Sequence, residues 1–204
     1  YLTEGKYMAF NMQLQDFIRR GIPFDEIGLQ YHIFNTTEEM ENRLVRETYL
    51  NADSMVEILD IYDNYGYPMH ISEITIPGSG QKAENEEIQA YLVEKLYKTW
   101  FATRNMKSIV WWNLVDGYAA YAPLGSNEGE NRCGGGLLRF DMSKKPAYDV
   151  LDNLINKEWN TSFETEISKE NEIVFRGFYG EYEITVDDKT YTVNLDEDGK
   201  EINL

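Results

Sequence analysis

Three apolar, strand-like runs begin near positions 27, 69 and 108, and each is followed by a segment of helical periodicity. The unit recurs at about 40 residues. Strands alternating with helices at this spacing require right-handed crossovers, and so a parallel sheet. A leading helix carries Tyr7, Phe10, Leu14, Phe17 and Ile18 on one face and ends at Gly21 and Pro23. The first strand spans residues 27–34, and residues 35–51 form a long loop or an irregular helix. A second helix shows Met55, Ile58, Leu59 and Tyr62 on one face and stops at Gly66 and Pro68. The second strand, 69–76, is closed by Pro77-Gly78. A third helix, 84–102, places Ile88, Tyr91, Leu92, Leu96 and Thr99 on one stripe. The third strand, 108–115, runs into a Gly-rich loop over 118–136 and a strand-like run over 137–140. A last helix opens at Pro146 and carries Tyr148, Leu151, Leu154 and Ile155.

The fold class is therefore α/β. A complete (β/α)8 barrel takes about 250 residues, and residues 1–158 supply only a leading helix and three strand–helix units. The expectation is a partial (β/α)8 (TIM) barrel over 1–158 and a small antiparallel β appendage over 159–204. In the appendage, 172–178 reads as a strand. Tyr182, Ile184 and Val186 alternate, as do Tyr191, Val193 and Leu195, on either side of Asp187-Asp188-Lys189. That is a hairpin pattern with one apolar face. At about 45 residues the appendage is short for independent stability, and it is expected to pack on the first part.

Composition removes several functions. The 204 residues carry a net charge of −17, which repels phosphate and argues against a nucleic-acid partner. No apolar run reaches the 18 or so residues that cross a bilayer, so no membrane is expected. The single cysteine, Cys133, excludes an intrachain disulfide framework. With two histidines and one cysteine, a zinc site is poorly supported, and no cofactor is expected. The chain opens at Tyr1 with no methionine and no signal-peptide pattern, which suggests cutting or processing.

In parallel α/β folds reactive side chains gather at the carboxyl ends of strands. Glu73 lies inside an otherwise apolar strand, where a carboxylate is costly unless paired or functional. It is a site residue or a strand-end acid in a salt bridge. Gln30 and His32 share a face of their strand; His32 alone could equally be a satisfied buried histidine. Trp111 and Trp112 are core residues or, at a strand-end cleft, platforms for a sugar ring. His70 opens its strand and reads as structural. The acidic cluster Asn127-Glu128-Gly129-Glu130-Asn131 lacks Ca2+-loop spacing and reads as solvated loop. Gly134-Gly135-Gly136 precedes a strand, so it is no phosphate cradle.

Four runs then occur in order: Arg20-Gly21-Ile22-Pro23-Phe24-Asp25-Glu26-Ile27-Gly28-Leu29-Gln30-Tyr31-His32, Ile71-Ser72-Glu73-Ile74-Thr75-Ile76-Pro77, Trp112-Asn113-Leu114-Val115-Asp116-Gly117-Tyr118, and Lys145-Pro146-Ala147-Tyr148. Together they resemble the last third of the catalytic barrel of glycoside hydrolase family 10, the endo-β-1,4-xylanases. The resemblance covers about residues 5–158 and makes the three strands the sixth, seventh and eighth of the barrel. It implies a retaining mechanism with two carboxylates about 5–5.5 Å apart. Glu73 would be the nucleophile. His32 would hydrogen-bond it and keep it ionised and aimed. Gln30 and Tyr31 would contact the substrate, and Trp112 would floor the subsite of the reacting sugar.

Three positions depart from the family pattern. Thr75 stands where a supporting aspartate is usual, Asn113 where a glycine is usual, and Ala120 where a second cleft tryptophan is frequent. The family's acid/base glutamate lies in an Asn-Glu pair at the end of the fourth strand, outside the part that matches. The resemblance therefore implies a xylan-degrading enzyme of which this chain holds the nucleophile half. It would be inactive without the first five strands, which a second chain or fragment would supply. The implied ligand is xylan or a xylo-oligosaccharide, and the implied location is extracellular, cell-surface or periplasmic. Two other functions remain open: a non-catalytic sugar-binding or interaction fragment, and a retaining hydrolase of another β-glycan.

Overall fold

The computed structural model of the chain describes residues 8–41, 50–79, 83–166, 173–196 and 199–201. Tyr7 of the leading helix, positions 42–49 of the polar stretch and Glu172 of the expected appendage strand lie outside the described residues. The chain divides into two compact units, Tyr1–Leu151 and Asp152–Leu204.

In the first unit, helix α1 (Ala9–Arg20) stops at Gly21, which takes φ 64° and donates its N–H to Ile18, while Ile22 donates to Phe17. This left-handed cap suits glycine because it has no Cβ to clash. Strand β1 (Ile27–His32) follows, then a short 3-10 turn, Glu39–Glu41. Helix α2 (Ala52–Asp63) starts at Asn51, whose side chain accepts the Ser54 N–H, and it buries Met55, Ile58, Leu59 and Tyr62 as the periodicity requires. Strand β2 (Met69–Thr75), helix α3 (Ala83–Phe101) and strand β3 (Met106–Ile109) complete the repeat. The sheet order is β1-β2-β3, parallel throughout, as the 40-residue repeat implies. Helix α4 (Pro146–Asn153) follows the long loop and is extended by a π-helical turn, Leu154–Glu158. The core is dominated by the strands: Ile27, Leu29, Tyr31, Ile33, Met69, Ile71, Ile74 and Ile76 are all buried.

The sheet is not closed into a barrel. Strands β1 and β3 each have one neighbour among the described residues. Beyond β3, Val110 and Leu114 are about half exposed, at 48% and 52%. Such a flank is incomplete as a barrel wall.

Three expectations need correction. Helix α3 buries Gln89, Leu92, Val93, Leu96 and Trp100, while Ile88 and Tyr91 are exposed. Leu92 and Leu96 of the expected stripe are buried, but the buried arc is displaced from Ile88 and Tyr91 because it contains a polar anchor. The Gln89 amide donates to the Ile76 and Gly136 carbonyls, at 2.9 and 3.2 Å. Strand β3 ends at Ile109, not at 115. Only single bonds continue beyond it, from the Val110 N–H to Ile71 and from the Trp112 N–H to Ile74. Asn113, at φ 55°, then turns the chain out of the extended conformation. The run 137–140 makes only isolated bridges, Val115 with Leu138 and Leu138 with Lys144.

In the second unit, β4 (Gly180–Val186) and β5 (Lys189–Leu195) form an antiparallel hairpin. Tyr182 opposes Val193 and Ile184 opposes Tyr191, so the apolar set shares one face. Asp187 and Asp188, at φ 48° and 61°, form the two-residue turn whose twist matches paired strands. Residues 173–178 are not a strand. Val174 is 83% exposed there, so half of the expected alternation has no surface to pack on. Phe175 instead joins Phe163 and Tyr182 in an aromatic cluster.

Candidate active site

The candidate site sits at the carboxyl ends of β1 and β2. Residues Gln30 and Glu73 are cross-strand partners, and so are His32 and Thr75. The register slips between Leu29 and Gln30: Leu29 pairs with Ile71 but Gln30 with Glu73, leaving Ser72 as the extra residue. A bulge of this kind resets the alternation and re-aims the side chains that follow. Ile71 and Ile74, three apart, are consequently both buried, while Glu73 comes to lie beside Gln30.

Both carboxylate oxygens of Glu73 are engaged. Gln30 Nε2 donates to Oε1 at 2.9 Å, and His32 Nε2 lies 3.3 Å from Oε2. The His32 side chain is only 6% exposed, whereas that of Glu73 keeps 29%. The carboxylate is thus fixed in direction yet open to a ligand. The other ring nitrogen, His32 Nδ1, lies 2.9 Å from Thr75 Oγ1. Phe34 stacks on the imidazole at 4.6 Å with 10° between the planes. The Trp112 ring meets it edge-on at 6.3 Å. Gln30, His32, Glu73 and Trp112 therefore lie together, as the sequence suggested. Tyr31, expected as a substrate contact, does not join them. It is buried, its hydroxyl directed to Met55 Sδ and its ring edge-to-face with Trp100. Period-two alternation sends it to the helix-covered side of β1.

The loop after β3 contributes a residue that the sequence concealed. Glu130 Oε2 accepts the Trp112 indole N–H and the Asn113 amide, both at 2.9 Å. Its neighbour Asn131 accepts the Ala119 N–H at 2.9 Å. The acidic cluster is therefore, at Glu130, a clamp on the Trp112 indole rather than only a solvated loop. No local pattern marks a carboxylate paired 18 residues away. Asn113 is also explained: with φ 55° it holds the left-handed conformation that glycine usually supplies and that asparagine tolerates best among the rest. Replacing Glu130 with alanine should destabilise the fold by about 2 kcal/mol, since two hydrogen bonds to a charged group are lost. Tryptophan emission should also shift to the red as the Trp112 ring loosens. Asn113→Val should destabilise by forcing a β-branched residue to positive φ, and Asn113→Gly should keep the backbone. Denaturant melts with fluorescence detection check all three.

Beneath the loop, Lys145 is fully buried at its side chain. Its Nζ donates to Asp116 Oδ2 at 2.9 Å and to the Gly134 carbonyl at 2.7 Å. Burial pushes its ammonium below the usual lysine range, and Asp116 opposes that shift. Asp116 Oδ1 accepts the Gly136 N–H at 2.7 Å. A Cβ at Gly136 would lie 2.6 Å from the Asp116 nitrogen, so the glycine run serves close backbone approach. Cys133 is buried, which pushes its thiol above the usual range and leaves it inert.

Comparison with known proteins bears on the family and the fold. The family model described as glycosyl hydrolase family 10 matches residues 3–153. Among solved structures, xylanase 10B from Thermotoga maritima superposes with a TM-score of 0.52 at 20% identity, over 72% of this chain and 41% of its own. Xylanase 10B from Thermotoga petrophila, solved with xylobiose, gives 0.53 at 21%, over 74% and 41%. An intracellular xylanase from Thermoanaerobacterium saccharolyticum, solved as a mutant with xylotetraose, gives 0.54 at 16%, over 74% and 41%. At these identities the likeness is one of fold, and the chain spans about 41% of the length of each. A search of curated proteins gave no match. With a family model that spans residues 3–153 of the 204, the chain belongs to glycosyl hydrolase family 10.

Proposed function

We propose that the chain is the nucleophile-bearing part of a retaining endo-β-1,4-xylanase, with Glu73 as the nucleophile and xylan as the substrate. The observation that carries this reading is the state of Glu73. It lies at the carboxyl end of the middle strand, held on both oxygens by neighbours from β1, and it is still accessible. In such a reaction a Glu73 oxygen attacks the anomeric carbon, and the glycosidic oxygen departs with a proton from the acid/base carboxyl group. The resulting glycosyl ester is then opened by water, which returns Glu73 to the carboxylate. Trp112, held by Glu130, would offer its ring face to the sugar. Gln30 and His32 hold the attacking carboxylate in one orientation.

The acid/base residue would come from the first five strands of the barrel, supplied from outside these 204 residues. The chain by itself would then be inactive. The single-neighbour strands β1 and β3 are the surfaces such a partner would complete. No helix among the described residues is long and apolar enough to cross a membrane. A polymeric xylan substrate would place the enzyme outside the cytoplasm or at the cell surface.

The test is covalent trapping. A completed barrel treated with an activated 2-deoxy-2-fluoro-xylobioside should accumulate a glycosyl ester on the peptide that contains Glu73, as mass mapping would show. An adduct on another carboxylate would overturn the assignment. Tight xylo-oligosaccharide binding with no adduct would mean a sugar-binding module instead.

A further inference from the structure

We infer that Thr75 sets the proton arrangement of His32: the threonine hydroxyl donates to Nδ1, and the imidazole is a neutral ring that donates from Nε2 to Glu73. The catalytic meaning of this arrangement rests on Glu73 being the nucleophile; the arrangement itself does not.

The geometry leaves few alternatives. His32 Nε2 faces Glu73 Oε2 at 3.3 Å. A carboxylate oxygen only accepts, so a hydrogen bond there requires the proton on Nε2. The neutral ring then has its lone pair on Nδ1, which lies 2.9 Å from Thr75 Oγ1. A hydroxyl can donate or accept, and toward the lone pair of a neutral ring it donates, whereas toward an imidazolium it would accept. Thr75 is 4% exposed and the His32 side chain 6%, with Phe34 stacked over the ring, so water has little access to replace that donor. A carboxylate at position 75 could not donate. It would force a second proton onto the ring and bury an imidazolium between two acids. Thr75 keeps the same net charge with two fewer formal charges in a poorly solvated site, which lowers the desolvation cost. Thr75 is thus a positioning residue: it acts on Glu73 through the tautomer and tilt of His32. Glu73 is the charged group hydrogen-bonded to this ring, and Gln30 holds its other oxygen.

The measurement is a long-range 1H–15N correlation spectrum of the 15N-labelled chain at neutral pH. The chain has two histidines, His32 and His70, and His70→Gln removes the second set of signals. The expected pattern for His32 is a pyridine-like Nδ1 and a pyrrole-like Nε2. Thr75→Asp should turn Nδ1 pyrrole-like. Thr75→Val should keep the volume but remove the donor, moving Nδ1 toward a free unprotonated nitrogen. Thr75→Ser should restore the wild-type positions. A wild-type Nδ1 that is already pyrrole-like would overturn the inference, as would a Thr75→Val spectrum identical to wild type. The wild-type spectrum decides even if a variant fails to fold. Because the readout is independent of turnover, failure here and failure of the Glu73 assignment in the trapping experiment are distinguishable.

Discussion

Glu73→Ala in a completed barrel is expected to lower turnover of an aryl xyloside by about 10⁴- to 10⁶-fold, the range seen when a covalent nucleophile is removed. Folding should be little affected. Glu73 is part-exposed, and its loss frees Gln30, which is itself exposed, and the His32 ring, which keeps its bond to Thr75. Added azide should restore turnover with inverted product, because a small anion can enter the space that the carboxylate vacates. An activated leaving group makes the rescue visible, since it needs little help from an acid. Near-normal turnover with retained stereochemistry in Glu73→Ala would remove Glu73 from the nucleophile role. It would also leave the pairing of Gln30 and His32 with that carboxylate as a structural hydrogen-bond network.

The parts of this site that were readable in the sequence are those that obey a simple period. Glu73 stands out because a carboxylate interrupts an apolar strand, and Gln30 and His32 share a parity that places them on one face. Tyr31 fails on that same rule, since its odd parity sends it into the core against Trp100. The parity argument could not by itself join Glu73 to Gln30. That depends on the bulge at Ser72, where the register slips by one and no glycine or proline announces it. Helix α3 shows the same limit. Its buried arc is marked by Asn85 and Gln89, polar residues whose amides satisfy loop carbonyls that only the folded chain brings near. Glu130 was hidden for a related reason: its partners are an indole and an amide across a loop, and a run of acids in a sequence normally means solvation. Thr75 and Asn113 read as departures from the family pattern. In the structure one satisfies His32 and the other keeps the left-handed turn.

The second large effect concerns the open sheet. The chain alone is expected to show no measurable xylan hydrolysis. Adding a polypeptide that supplies the first five strands should raise the rate by at least about 10²- to 10⁴-fold, the contribution of a positioned general acid. An unactivated sugar leaves as an alkoxide unless it is protonated, so Glu73 cannot substitute for that proton donor. The added polypeptide should form a one-to-one complex in light scattering. Strands β1 and β3 each have a single strand neighbour among the described residues, and Val110 and Leu114 offer apolar area to bury. Leu114→Lys should weaken that complex and reduce the gain in rate, because a charge would then face the closing surface, while the Glu73 carboxylate and its two partners lie on β1 and β2 and stay intact. Xylan hydrolysis by the unsupplemented chain at a rate unaffected by the added strands would mean that both catalytic carboxylates lie within these 204 residues. The open flank beyond β3 would then be an exposed surface of the working enzyme and not a seam.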